Sequence, residues 1–104
     1  TSYNASSSGA GEHVYLVDTG VNTTHAEFSG RTVNNLYTGF GSDYSDTIGH
    51  GTSMASLIIG ANIGTAKSAT LHNVKALNAN PYTGTIAAMV EALDAILECQ
   101  KMYL

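Results

Sequence analysis

The sequence has 104 residues, of which 43% are hydrophobic and only 12% are charged, and its formal net charge is −4. Its four Lys and Arg residues are too few for a basic patch that follows a phosphate backbone or an anionic lipid surface, which excludes nucleic-acid and membrane partners. It contains neither a run of eighteen apolar residues nor a charged and then apolar leader, so we expect no transmembrane segment and no signal peptide. The low charged fraction, against roughly 25% in soluble proteins generally, favours an extracellular protein.

The first part of the chain predicts an arm followed by a buried strand. Residues 1–11 are rich in Ser, Gly and Ala without periodicity, which indicates an extended or loosely ordered arm that holds little of the core. Residues 13–18 (HVYLVD) form a short apolar run that ends at Thr19 and Gly20, as in a buried strand of a parallel sheet. We therefore expect Asp18 at the C-terminal end of a strand, where open α/β sheets bind their ligands.

The middle of the chain predicts loops and then a helix. Residues 21–46 carry scattered Gly, Ser and Asn without a sustained period, which indicates loops with one short strand near residues 32–36. From His50 onward, apolar residues recur at helical spacing. We expect this helix to begin at His50 or just after it, with Thr52 and Ser53 as candidate caps of its first amides.

The last part of the chain predicts a second buried strand and a second helix. Residues 67–77 alternate in character and end before a cluster of Asn and Pro, which is typical of a strand. Between Ile86 and Leu97 the apolar residues follow helical spacing over about fifteen residues. This order of elements indicates a parallel sheet with helices on its faces. The single cysteine, Cys99, is either a buried thiol on this helix or a partner for another chain.

Two short motifs carry the chemistry: residues 17–20 (VDTG) and residues 46–52 (DTIGHGT). A carboxylate at a strand end, such as Asp18, can accept the Nδ1 hydrogen of an imidazole such as His50. The imidazole Nε2 is then oriented to take a proton from a nucleophile. The D-T-G sequence also occurs in aspartic proteases. No second D-T-G or D-S-G is present here, although dimeric forms supply it from a partner, and G-H-G-T has no role in that class.

Together the two motifs resemble the subtilase family of serine proteases, in particular its proteinase K-like secreted branch. The resemblance continues in the family's order through His25, residues 27–31 (EFSGR), residues 64–67 (GTAK) and residues 74–77 (VKAL). It implies an α/β protein with a three-layer subtilisin-like fold, in which a parallel β-sheet is flanked by helices. Residues 1–104 would be only the N-terminal portion of the catalytic domain.

The resemblance also implies roles for particular residues. Asp18 would orient the imidazole, and His50 would act as general base and then as general acid in amide hydrolysis through an acyl-enzyme. A segment of five residues would form one side of the cleft for a protein or peptide substrate: Asn80, Pro81, Tyr82, Thr83 and Gly84. The family needs no cofactor for this reaction and often carries a structural calcium ion, although no loop here has the dense carboxylate spacing of a calcium site.

The position of the nucleophile is the main open point of the sequence. Residues 51–55 (GTSMA) also read like the family's nucleophile segment, but Ser53 follows His50 on the same turn. The base must instead meet a serine from a separate helix, in front of an oxyanion hole. The family's nucleophile Ser and oxyanion Asn correspond to positions beyond Leu104, so we expect a second polypeptide chain to complete a heterodimeric protease. The alternative is a non-catalytic subtilase-like subunit or fragment that acts as a binding partner.

Two further sets of residues bear on modification and metal binding. The sequons at Asn4 and Asn22 predict glycosylation if a eukaryotic secretory pathway makes the chain. The histidines His13, His25 and His72 match no compact ligand spacing and lie on different predicted elements, so we expect no metal site.

Overall fold

The computed structural model of the chain describes residues 8–78 and 86–102. In chain order its elements are strand β1 (His13–Asp18), a 3-10 turn (Ala26–Phe28), strand β2 (Thr32–Thr38), helix α1 (His50–Ile59), strand β3 (Thr70–Lys75) and helix α2 (Ile86–Lys101). Neither of these two helices combines the length and the apolar character that crossing a membrane requires.

The described strands form one parallel sheet in the order β1-β3-β2. Strand β3 is central, and every residue from Leu71 to Lys75 is buried, as expected of a strand covered on both faces. Asp18 of β1 and Thr38 of β2 are both in register with Lys75. The carboxyl ends of all three strands therefore meet at one edge of the sheet, and this edge carries Asp18.

The two helices cover opposite faces of the sheet. Because successive side chains of a strand point to opposite faces, Leu71 and Val74 lie on different sides of β3. Leu71 packs in a cluster with Ala55 and Ile59 of α1, whereas Val74 packs with Ala92 of α2. Burying each large aliphatic side chain contributes about 1.5–3 kcal/mol. These two clusters hold the three layers together and confirm the predicted parallel sheet flanked by helices.

Strand β2 differs most from its prediction. It runs from Thr32 to Thr38 rather than ending near residue 36, and it pairs with β3 along this length. Its register shifts between Asn35 and Tyr37. An irregularity of this kind adds a residue to one strand, so the alternation of polar and apolar side chains is interrupted. Strand β3 is shorter than the predicted 67–77 and occupies Thr70–Lys75.

The described end of the N-terminal arm, residues 8–11, turns back onto the fold. The N–H of Glu12 donates to the Gly9 oxygen at 3.0 Å, and the N–H of Ser68 donates to the Ser8 oxygen at 2.8 Å. This part of the arm is anchored beside the start of β3 rather than extended.

The buried polar residue Lys75 fixes the loop that follows β2. It is 1% exposed, and its Nζ lies 3.3 Å from the Asp43 carboxylate and also donates to the Ser45 backbone oxygen. The ring of Phe40 is 5.8 Å from the same atom. A buried ammonium group needs such partners to offset its loss of hydration. The loop is thereby tied across the carboxyl edge of the sheet, next to Asp18.

Candidate active site

Asp18 is the last residue of β1 and is 7% exposed. Its backbone oxygen accepts hydrogen bonds from the N–H groups of Ala76 and Leu77 at 3.1 and 3.2 Å, so β1 stays attached to the chain that leaves β3. The N–H of Thr19 donates to the Asp18 Oδ1 atom at 2.7 Å. Both the backbone and the carboxylate of Asp18 are therefore held in place at the strand end.

His50 is the first residue of α1 and follows Gly49, whose φ of 101° only glycine adopts readily. Its Nδ1 atom lies 2.9 Å from Oδ1 and 3.0 Å from Oδ2 of Asp18. The Asp18 side chain is 10% exposed, whereas the His50 side chain is 51% exposed. The carboxylate is thus enclosed while the imidazole remains accessible from outside.

Two glycines allow β1 and α1 to approach closely enough for this contact. A Cβ atom on Gly51 would lie 2.0 Å from the Gly20 backbone oxygen. Gly20 has a φ of 106°, and a Cβ atom there would lie 2.3 Å from the Ser45 oxygen. Neither position has room for a side chain, so the glycines set the distance between the strand end and the helix start.

Asp46 organises the loop just before the helix. Its Oδ1 accepts hydrogen bonds from the Thr19 hydroxyl at 2.8 Å and from the N–H groups of Ile48 and Gly49 at 3.1 and 2.9 Å. Its Oδ2 accepts from the N–H and the hydroxyl of Thr52 at 2.9 and 2.6 Å. Partial burial alone would raise the pKa of Asp46, but the hydrogen bonds from Thr52, Gly49 and Thr19 outweigh it and hold this pKa below its usual range.

The predicted capping of α1 by Thr52 and Ser53 is wrong. The N-cap residue is Gly49, which makes no side-chain cap, and the Thr52 hydroxyl donates to Asp46 instead of accepting from the helix. A carboxylate competes well for free amides at a helix start because it only accepts and carries the charge that the helix dipole favours. The D-x-x-G-H spacing was the sequence signal for this role of Asp46, since it places an acidic residue just before the helix.

The Asp18 and His50 pair can perform proton transfer. When a neutral imidazole donates its Nδ1 hydrogen to a carboxylate, its Nε2 atom holds the lone pair and can act as a base. The carboxylate also stabilises the imidazolium that forms after the proton is accepted. The arrangement provides an oriented general base at the carboxyl edge of a parallel sheet.

Some predicted site residues lie outside the described part of the chain. These are the glycosylation candidate and the substrate-cleft segment, that is, Asn4 and Asn80, Pro81, Tyr82, Thr83 and Gly84. The other sequon residue, Asn22, is exposed, and its Oδ1 accepts a hydrogen bond from the Thr24 hydroxyl at 2.7 Å.

Two further histidines, His13 and His72, are close together inside the fold, although they lie on separate elements as predicted. His13 of β1 and His72 of β3 meet with 2.9 Å between Nδ1 and Nε2, and the Asn34 amide nitrogen is 3.0 Å from the other ring nitrogen of His72. Tyr15 stacks on His72 with 4.6 Å between ring centroids. Burial, with a smaller contribution from His13, lowers the pKa of His72. The Cys99 Sγ is 3.9 Å from the ring and buried, which favours its interpretation as a buried thiol.

Within residues 8–78 and 86–102, no three His, Cys, Asp or Glu side chains converge as metal ligands. A structural calcium ion, which the resemblance to the family implies, stays a prediction.

Fold and site together define an α/β protein with a carboxylate-oriented histidine at the edge of its sheet, and comparisons with known proteins agree. Residues 9–98 match the profile of the subtilase family. The chain is 39% identical over 88 residues to alkaline protease 1 of Aspergillus clavatus, covering 85% of this chain and 21% of that protein. It is 38% identical over 98 residues to an extracellular serine proteinase of Thermus sp. strain Rt41A, covering 92% of this chain and 23% of that protein.

The crystal structure of a cold-adapted subtilisin-like serine proteinase superposes with a TM-score of 0.82 at 34% identity. The match covers 93% of this chain and 36% of that one. The chain therefore belongs to the subtilase family and has the predicted subtilisin-like fold. It spans 21% and 23% of the length of the two relatives cited above.

Proposed function

We propose that this chain is the Asp-and-His component of a serine endopeptidase, in which Asp18 orients His50 and His50 is the general base. The observation that carries the proposal is the contact of His50 Nδ1 with both carboxylate oxygens of Asp18, at 2.9 and 3.0 Å. The relatives support the reaction class, since they are an alkaline protease and an extracellular serine proteinase.

In the proposed reaction a serine Oγ attacks the carbonyl carbon of a peptide bond and its proton moves to His50 Nε2. The tetrahedral intermediate collapses when His50 gives this proton to the amide nitrogen, the C–N bond breaks and the amine leaves. Water then attacks the acyl-enzyme, His50 takes its proton and returns it to the serine oxygen, and the acid leaves. The Asp18 carboxylate stabilises the imidazolium in each half-reaction.

The nucleophile Ser and the oxyanion Asn are proposed to lie on a second polypeptide chain. Two features of the described fold support a missing neighbour. Strand β1, which carries Asp18, is at an edge of the described sheet. Helix α2 also exposes an apolar stripe at helical spacing, formed by Ile86, Val90, Leu93 and Leu97, which are 85%, 52%, 57% and 57% exposed. Contiguous exposed apolar surface of this kind is typical of an interface.

We further propose that the assembled protein is secreted and cleaves protein or peptide substrates, with residues 80–84 along one side of its cleft. The low charge of the chain and the extracellular description of the Thermus relative support secretion. Glycosylation at Asn22 fits its exposed position and would be detected as a mass loss on enzymatic deglycosylation.

The experiment is to purify the protein from its native source without reduction, label it with a fluorophosphonate probe, and map the labelled peptide by mass spectrometry. A fluorophosphonate reacts with a serine that an adjacent base has activated. We expect the label on a serine outside these 104 residues, on a polypeptide that co-purifies with them. The variant His50→Ala should abolish labelling, and Ser53→Ala should retain it.

The other outcomes separate the parts of the proposal. A labelled serine on the same polypeptide would remove the second chain but leave the roles of Asp18 and His50 intact. Label on Ser53 would contradict the assignment of the nucleophile. Absence of label from native, intact material would support the alternative, a non-catalytic subtilase-like subunit that acts as a binding partner.

A further inference from the structure

We infer that Asp46 is a positioning residue, which holds the backbone around His50 against the strand end that carries Asp18. The inference rests on the proposed function for its catalytic consequence, but its structural content stands on the contacts of Asp46 alone. Neither Asp46 nor its partner Thr19 is predicted to contact substrate or to transfer a proton.

The contacts of Asp46 reach both sides of His50 along the chain. Its Oδ1 accepts from the N–H of Gly49, the residue before His50, at 2.9 Å, and its Oδ2 accepts from the N–H of Thr52, two residues after it, at 2.9 Å. These amides belong to the first turn of α1, where no carbonyl of the helix itself is available to them. Asp46 therefore fixes the direction in which α1 begins and the position from which the His50 side chain extends.

Thr19 connects this turn to the strand end. Its hydroxyl donates to Asp46 Oδ1 at 2.8 Å and accepts from the N–H of Gly51 at 2.9 Å. The backbone N–H of the same residue donates to Asp18 Oδ1 at 2.7 Å. Thr19 is 1% exposed, so water does not readily replace these bonds. One buried residue thus joins the Asp18 carboxylate, the Asp46 carboxylate and the amide next to His50.

The position requires a carboxylate, not just any polar group. Five hydrogen-bond donors point at the two oxygens of Asp46: three at Oδ1 and two at Oδ2. In Asp46→Asn, one oxygen becomes an NH₂ group that cannot accept, so it faces either two or three donors without pairing them. The turn must then shift, and the distance from His50 Nδ1 to Asp18 shifts with it.

The test measures Asp46→Asn and Thr19→Val in the protease purified with its partner chain. We expect kcat to fall by about a hundredfold with little change in KM, because displacement of a catalytic group by about 1 Å has an effect of this size. The low-field NMR resonance of the His50 Nδ1 proton, a signature of its bond to Asp18, should weaken or disappear. Thr19→Ser retains the hydroxyl and should restore both kcat and this resonance.

A matched control is Glu27→Gln, which alters a carboxylate that binds the chain after the far end of α1, at the Asn62 N–H and side chain. It should lower the unfolding midpoint without changing the His50 resonance or kcat. If Asp46→Asn keeps kcat and the His50 resonance at wild-type values, Asp46 has no positioning role. If the wild-type protein hydrolyses nothing but its low-field resonance is lost in Asp46→Asn and kept in Glu27→Gln, the proposed function fails while the positioning role of Asp46 stands.

Discussion

His50 and His72 are both held by hydrogen bonds, but their surroundings differ. The His50 side chain is 51% exposed and its Nδ1 contacts the Asp18 carboxylate. His72 is completely buried, and its ring nitrogens contact His13 and the Asn34 amide. A carboxylate stabilises a protonated imidazole, whereas burial and a second histidine oppose protonation.

One residue type therefore serves two purposes in one fold. The protonated state of His50 has a charged partner, and its ring is open to groups from outside, as a general base requires. His72 stacks with Tyr15 and lies close to Cys99, so its ring fills space between β3 and α2 and satisfies neighbouring polar groups. Exposure and the charge of the partner separate the two roles better than the number of hydrogen bonds does.

The largest expected effect comes from removing the charge that distinguishes His50. Asp18→Asn keeps the size of the side chain but presents an amide to Nδ1 and favours the wrong tautomer. We expect kcat of the assembled protease to fall by about ten-thousandfold. The unfolding midpoint should change little, because the size of the side chain is kept. Steady-state hydrolysis of a peptide amide and a denaturant titration measure the two quantities. Activity near the wild-type level would show that Asp18 does not orient a general base.

The next effect concerns the close approach of β1 and α1. Gly51→Ala would place a Cβ atom 2.0 Å from the Gly20 oxygen, so the helix start must move away from the strand end. We expect a loss of about a hundredfold in kcat. Gly49→Ala is the matched variant, because its Cβ would meet nothing within 4 Å and only its φ of 101° is unfavourable. It should cost about 1–2 kcal/mol of stability. Equal losses of kcat in the two variants would argue against the steric explanation.

A smaller effect, on stability alone, is expected at His72. His72→Ala leaves a cavity and removes a partner of both His13 and Asn34, which should lower the free energy of unfolding by about 3 kcal/mol. Hydrolysis per folded molecule should not change. His25→Ala removes an exposed histidine whose Nδ1 accepts from the Glu27 N–H at 3.1 Å, and it should cost about 1 kcal/mol or less. Urea titrations of both variants measure the difference, and a large loss of kcat in His72→Ala would contradict its structural role.

The sequence predicted those parts of the fold in which one residue pattern dominates. The apolar run of β1 ends at Asp18 and α1 begins at His50, as expected, because a short buried strand and an amphipathic helix each follow a single period. Strand β2 was predicted two residues short because Asn34 and Asn35 are polar and its register shifts after Asn35.

The contacts of the candidate site were less predictable than its two principal residues. The roles of Thr19 and Asp46 depend on distances between residues 27 positions apart, which no local period encodes. The meeting of His13 and His72 likewise follows from the pairing of β1 with β3, in which His72 lies opposite Tyr15. Such contacts require the strand order, and the sequence pattern did not specify it.

The smallest expected effect is a difference in acid sensitivity between the region of His72 and the candidate active site, which contains Asp46. The pKa of His72 is lowered from 6.5 in the folded protein, because burial disfavours the imidazolium and His13 repels its charge. The unfolded chain then binds this proton more tightly, so the stability contribution of His72 is complete above about pH 6.5 and declines as the pH falls below that value.

Asp46 also loses its stability contribution on acidification, but at lower pH, because its pKa is lowered from 3.8 and the contribution is complete above that value. Between pH 7 and pH 5, stability should therefore fall in the wild-type protein and fall less in His72→Phe, which cannot take up the proton. Urea midpoints of both proteins across this range test the expectation, with His25→Ala as the control for loss of a histidine. If the urea midpoints of wild type and His72→Phe change in parallel with pH, His72 is not the group that couples folding to pH. The contrast between His72 and His50 would then rest on exposure alone.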